Sequence, residues 1–187
     1  GGGGRGGGGT IYVDCSTVNP MTSREVHRRV AEASSSSSSS SSCPAGSSTS
    51  ASAAMDAPVS GGVKGAIDGT LTFMVGSDPG RPLETASPFL RNMGENVVLC
   101  GGPGTGAATK LCNNVALASQ MIGVCEAMNL GEALGVDPVV LADAMNASTA
   151  KCWSGEVDNP HPDVAAARGN AAAANDYDGG FAARLML

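Results

Sequence analysis

The sequence predicts an α/β portion followed by an all-helical portion. Three observations point there. Short apolar and β-branched runs alternate with helical segments between Thr10 and Gly102. GGPG, residues 101–104, then breaks the chain. From Gly106 to Leu134 the apolar residues fall at steps of three and four, the spacing of one long helix.

Taken in order, TIYVDC at Thr10–Cys15 reads as a strand, being β-branched and aromatic. Pro20 suits a first helical turn, and Val26 and Val30 share a face, so 20–33 reads as a helix. The serine run from Ser34 to Ser42 cannot bury apolar surface to offset its ordering entropy. It is expected to be a surface loop, extending over 34–53. MDAPVSGG begins as a strand and closes in a turn of small residues. A strand follows at Leu71–Val75, a short helical segment in PFLRNMG closed by Gly94, and a buried strand at Val97–Cys100. In the long helix Leu111, Val115, Ala118, Ile122 and Cys125 keep the helical step, and Gly135 and Pro138 mark its end. DPVVLADAMNAS reads as a second helix capped by Asp137. The tail from Trp153, rich in Asn, Pro, Asp and Ala, reads mostly as loop. The division expected is a disordered glycine-rich leader (1–9), an α/β part (10–102) and a helical part (103–187).

Net charge is −6 over 187 residues, with no basic stripe. Duplex nucleic acid and anionic membrane surfaces, which select Lys and Arg, are excluded as expected partners. No run reaches the roughly 18 apolar residues of a transmembrane helix. The six cysteines form no C-x-x-C pair, and neither His27 nor His161 lies near one, so no metal site is expected. Four of the six sit in apolar stretches and read as small buried hydrophobes, suiting a reduced compartment. The first residue is Gly1 rather than Met, so the sequence reads as a fragment.

Three stretches bear on chemistry. Gly1, Gly3 and Gly6 match G-x-G-x-x-G, but no strand precedes them and no helix follows, so the match is rejected. In SGGVKG, Ser60, Gly61 and Gly62 follow a strand. The hydroxyl and bare backbone N–H groups could hold a carboxylate, and an ordinary tight turn would read the same. Lys110 stands in the first turns of the long apolar helix, with Gly106 one turn before it and Asn114 one turn after. A partly desolvated lysine amine can exchange a proton with an alcohol near neutral pH. A lysine snorkelling to solvent from a buried stem fits the same residues.

DCSTVNP, DAPVSGGVKGAIDGTLTFMVGS, GTGAATKLCNN and MIGVCEAMNLGEALG, in that order, resemble the β-hydroxyacid dehydrogenase family. KCWSGEVDNPHPDV and NDYDGGFAARLML narrow the resemblance to its 3-hydroxyisobutyrate dehydrogenase branch. It runs from Ile11 to Leu187, apart from the serine insertion. It implies the C-terminal part of a Rossmann-like dinucleotide-binding domain, followed by an incomplete all-helical domain led by a long interdomain helix. The implied activity is NAD-dependent oxidation of 3-hydroxyisobutyrate to methylmalonate semialdehyde, in valine breakdown. Carried over by motif, Lys110 is the catalytic proton-transfer lysine, and Ser60, Gly61 and Gly62 are the substrate-carboxylate loop. Asn114 supports substrate and lysine, and Ser16 and Thr17 contact the cofactor near its nicotinamide end. A homo-oligomer is implied for the complete protein, and a mitochondrial location in a eukaryote or a cytoplasmic one otherwise. The resemblance also implies a strand, glycine fingerprint and helix before Thr10, and a second lysine beyond FAARLML. Lys151 stands where the branch carries arginine. Glyoxylate, tartronate semialdehyde or succinic semialdehyde reduction, and a non-catalytic remnant that only associates with other subunits, are the competing readings.

Overall fold

The structure, a computed structural model, describes residues 9–38 and 51–169. The leader at 1–8, the serine loop at 39–50 and the tail at 170–187 lie outside the described residues. The chain divides into two compact units, one ending at Leu111 and one beginning at Cys112.

In the first unit β1 (Ile11–Asp14) leads into α1 (Pro20–Ser38), and β2 (Ala53–Asp56) and β3 (Val59–Ser60) follow. Next come α2 (Gly62–Asp68), β4 (Thr72–Gly76), α3 (Arg81–Arg91), β5 (Asn96–Gly101) and the start of α4 (Thr105–Ala133). Asn19 begins α1 by accepting the Met21 N–H at 2.8 Å, and Pro20 takes the first helical position. The expected loop at 34–53 is corrected at its start, because α1 continues to Ser38. The Ser34 and Ser35 hydroxyls donate to the Val30 and Ala31 carbonyls one turn back, so these serines extend the helix rather than leave it.

β1 runs parallel to β2 and β4 parallel to β5, while β3 pairs antiparallel with the start of β4. Asp56, at the end of β2, pairs antiparallel with Gly76 at the end of β4, so β1 and β2 run opposite to β4 and β5. Met55, Ala57, Phe73 and Val75 from this sheet bury with Ala86 and Leu90 of α3. Burying the Phe73 side chain alone is worth about 1.5–3 kcal/mol. Helix α2 replaces the bare turn expected after SGG, closing at Gly69 in the left-handed conformation. Helix α3 starts well before the expected PFLRNMG segment, with Pro82 in its first turn.

The second unit holds the rest of α4, α5 (Pro138–Asn146), α6 (Trp153–Glu156) and α7 (Pro162–Arg168). Asp137 caps α5 as expected, its carboxylate accepting the Val139 and Val140 N–H groups. The core is Val124 and Met128 of α4, Ala142 of α5 and Val164 of α7. The apolar series chosen from spacing faces outward instead: Leu111, Val115 and Ile122 are 57%, 61% and 65% exposed. The expectation of loop from Trp153 is also corrected. Asn159 is buried, donates to the Gly155 carbonyl at 3.3 Å and accepts the His161 N–H at 3.0 Å. His161 then caps α7, with Pro162 in its first turn. The Asn-Pro-His-Pro stretch is therefore a helix start. The cysteine expectation fails as well. Cys15, Cys112 and Cys125 are exposed and Cys100 and Cys152 only half-buried, since they sit beside the cores rather than within them.

Candidate active site

Asp14, Asp56, Gly76 and Gly101 lie side by side across the sheet, β1 and β2 ending there from one direction and β4 and β5 from the other. The segments that leave this row carry Ser16 and Thr17 after β1, Ser77 after β4 and Gly102 after β5. The carboxyl ends of parallel neighbours such as β1 and β2 are where open α/β sheets receive ligands.

Asp56 is the most constrained member of the row. It is 2% exposed, yet its two carboxylate oxygens accept the N–H groups of Gly104 and Ala107, each at 2.8 Å. These are the free donors at the start of α4, capped here by a residue about fifty positions away. His27 Nε2 of α1 stands 3.3 Å from the same carboxylate, at ion-pair distance but off line for a hydrogen bond. Burial pushes the Asp56 carboxyl up. The neighbouring His27 and the N–H groups of Ala107 and Gly104 outweigh it, holding the group below its ordinary value. Sequence reading missed both residues. The available signal was a carboxylate set in MDAPV, inside an otherwise apolar run.

Lys110 follows Ala107 by three residues on α4 and is half-buried. Burial holds its amine below the ordinary lysine value. The chain has three lysines. Lys64 pairs with Asp68 and Lys151 with Glu156, whereas Lys110 has no carboxylate in ion-pair range among the described residues. Lys110 is thus a partly buried amine outside the ion pairs of the other two lysines.

Ser60 is half-buried in β3, opposite Thr72 at the start of β4. Gly61 and Gly62 follow with φ of 137° and 61°, conformations that bare glycine adopts readily. Both are exposed, and a Cβ on Gly62 would meet nothing within 4 Å. The loop is therefore anchored on the same strand that carries the start of α4. Ser16 and Thr17 are exposed, the Ser16 N–H donating to Asp14 at 2.9 Å. Asn114 lies one turn beyond Lys110 on α4 and is half-buried, in the second unit. Gly106 is buried at the start of α4. It lets α4 approach β4, a Cβ there falling 2.8 Å from both Asp56 Oδ2 and the Gly76 nitrogen.

Residues 5–102 match the family model described as the NAD binding domain of 6-phosphogluconate dehydrogenase. Residues 104–187 match the one described as NAD-binding of NADP-dependent 3-hydroxyisobutyrate dehydrogenase. The chain belongs to the β-hydroxyacid dehydrogenase family. Among its relatives, the mitochondrial 3-hydroxyisobutyrate dehydrogenase of Bos taurus is 43% identical over 178 residues, covering 95% of this chain and 47% of that protein. The NAD-dependent L-serine dehydrogenase of Pseudomonas aeruginosa is also 43% identical, covering 95% of this chain and 53% of that protein. A Mycobacterium tuberculosis 3-hydroxyisobutyrate dehydrogenase, solved with L-serine, superposes with a TM-score of 0.72 at 36% identity, over 91% of this chain and 52% of that one. The chain thus spans about half the length of the relatives it matches.

β-Hydroxyacid dehydrogenases of this kind use a nicotinamide dinucleotide, and the residues present fit one. β1 and β2 run parallel and end side by side at Asp14 and Asp56. Ser16 and Thr17 offer exposed hydroxyls just beyond the end of β1. No helix among the described residues is long and apolar enough to cross a membrane.

Proposed function

We propose that the protein is a dehydrogenase that oxidises 3-hydroxyisobutyrate to methylmalonate semialdehyde with NAD, a step of valine breakdown. The observation that carries this reading is Lys110, a half-buried amine on α4 without a carboxylate partner among the described residues, whose pKa burial lowers. NAD, when bound, supplies the hydride acceptor. Lys110 as neutral amine takes the hydroxyl proton, so that the alcohol carbon becomes an aldehyde as its C–H bond breaks. The Ser60 hydroxyl and the N–H groups of Gly61 and Gly62 hold the substrate carboxylate and fix the distance from carboxylate to reacting hydroxyl. Asn114 hydrogen-bonds the hydroxyl or orients the amine. Ser16 and Thr17 lie against the nicotinamide end. For a eukaryotic source, the mitochondrial names of relatives such as the bovine enzyme support the same compartment.

A second reading has its own support. One relative at 43% identity is named an L-serine dehydrogenase, and a similar structure was solved with L-serine. L-Serine is itself a β-hydroxy acid, with an ammonium where 3-hydroxyisobutyrate has a methyl group. The lysine and the carboxylate loop serve both molecules equally. The deciding experiment compares kcat/KM of the purified protein for the two acids, with Lys110→Ala as control. A preference for 3-hydroxyisobutyrate supports the first reading and a preference for L-serine the second. Wild-type turnover by Lys110→Ala sinks the proton-transfer role in both.

A further inference from the structure

The reaction outlined above gives Asp56 nothing to do, although this buried carboxylate makes more polar contacts than any other residue near the start of α4. We propose that Asp56 is the positioning residue for Lys110, an inference that rests on Lys110 being the proton-transfer residue. The helix that carries Lys110 is joined to the sheet through Asp56. One oxygen accepts from Gly104 and the other from Ala107, each at 2.8 Å. Lys110 follows Ala107 by three residues, about 4.5 Å along the axis at 1.5 Å per residue. A displacement of the helix start therefore passes to Lys110 almost undiminished.

The space around the carboxylate leaves no slack. A Cβ on Gly76 would fall 2.5 Å from Asp56 Oδ1, and a Cβ on Gly106 would fall 2.8 Å from Oδ2. Two glycine Cα atoms thus flank the group, and His27 stands 3.3 Å from Oδ1 on the α1 side. Glutamate is too long for this gap. Asparagine has the right shape, but it turns an NH2 group towards one of the two N–H donors, leaving that donor unpaired. Only aspartate offers two acceptors at this size.

The test is a double-mutant cycle in the whole protein: Asp56→Asn, Lys110→Ala and both together. The readouts are kcat and KM for the preferred acid and the Kd for NADH from its fluorescence. Asp56→Asn is expected to lower kcat on the order of 10- to 100-fold, the cost of misplacing a reacting group by about an ångström. KM and the NADH Kd stay near wild type. Added to Lys110→Ala, the same change costs nothing more, because the residue it positioned is gone. An equal fold-loss in both backgrounds, or no loss in either, overturns the positioning role and leaves the Lys110 reading standing. Wild-type turnover by Lys110→Ala removes the Lys110 reading, and this inference with it, whatever Asp56→Asn does. Where Asp56→Asn does not fold, His27→Asn runs through the same cycle. It is expected to give a smaller loss that again vanishes without Lys110, and a loss that persists overturns the proposal.

Discussion

Gly76 and Gly106 meet backbone against backbone: a Cβ on Gly76 would lie 2.7 Å from the Gly106 nitrogen, and one on Gly106 2.8 Å from the Gly76 nitrogen. No side chain separates β4 from α4 at this point. Gly106→Ala should therefore destabilise the protein by about 1–3 kcal/mol, the usual cost of overfilling a packed contact. This would outweigh the gain in helix propensity from glycine to alanine, about 1 kcal/mol. Urea unfolding decides the matter, and a midpoint equal to or above wild type would show that the two elements are not in contact.

Acid should act through Asp56. Its folded pKa lies below its ordinary value. Its contribution is therefore complete above the unfolded pKa of about 3.9 and is lost as pH falls through the folded pKa. Asp56→Asn should cost about 1–3 kcal/mol at neutral pH, the penalty for one unpaired buried donor, and less in acid. Unfolding free energies for both proteins between neutral pH and the acid transition test this. A difference that stays constant with pH rules it out.

Lys110 should carry the opposite sign. Burial lowers its folded pKa, so its charge favours the unfolded chain below that pKa. The penalty disappears as pH rises from the folded value to the unfolded value of about 10.4. Lys110→Met is expected to raise Tm slightly at neutral pH, with the gain shrinking on the alkaline side, while turnover falls by about 10²- to 10⁴-fold. Thermal scans of both proteins across that range measure the effect, and a lower Tm for the variant at neutral pH contradicts it.

In the helical unit Asp137 caps α5, with Oδ1 accepting the Val139 and Val140 N–H groups at 2.9 and 3.0 Å. Asp137→Ala should cost about 1 kcal/mol, within the range for lost caps. Asp137→Asn should recover most of it. Chemical denaturation of the three proteins gives the ranking.

What could be read from the chain in advance followed the range of the interactions involved. β4 and β5 are short apolar runs between breakers, and both were legible within a residue or two of their ends, but β5 is not the buried strand expected: Val98 and Leu99 are each 48% exposed. The cap at Asp137 is local and was equally plain. Helix α2 was hidden by its glycines, whose propensity argues for a turn. Asn159 and His161 belong to a stretch whose composition suggests loop, and only the buried carbonyl of Gly155 explains them. Along α4 the helical step was right but could not say which side is covered, since apolar residues occupy most of that helix. Lys110 stood out because a charge in such a helix is unusual. Asp56 did not, because its partners at 104 and 107 are remote in sequence.

The row formed by Asp14, Asp56, Gly76 and Gly101 bears on how such a protein can diversify. The segments that follow β1 and β5 carry exposed groups such as Ser16, Thr17 and Gly102, whereas Met55, Phe73 and Val75 are buried in the core. Changes in those segments leave that packing untouched. Preference for a methyl or an ammonium substituent on a hydroxy acid could then drift by small steps, each neutral for folding. Relatives of equal identity to this chain, one named for 3-hydroxyisobutyrate and one for L-serine, are what such drift would leave behind.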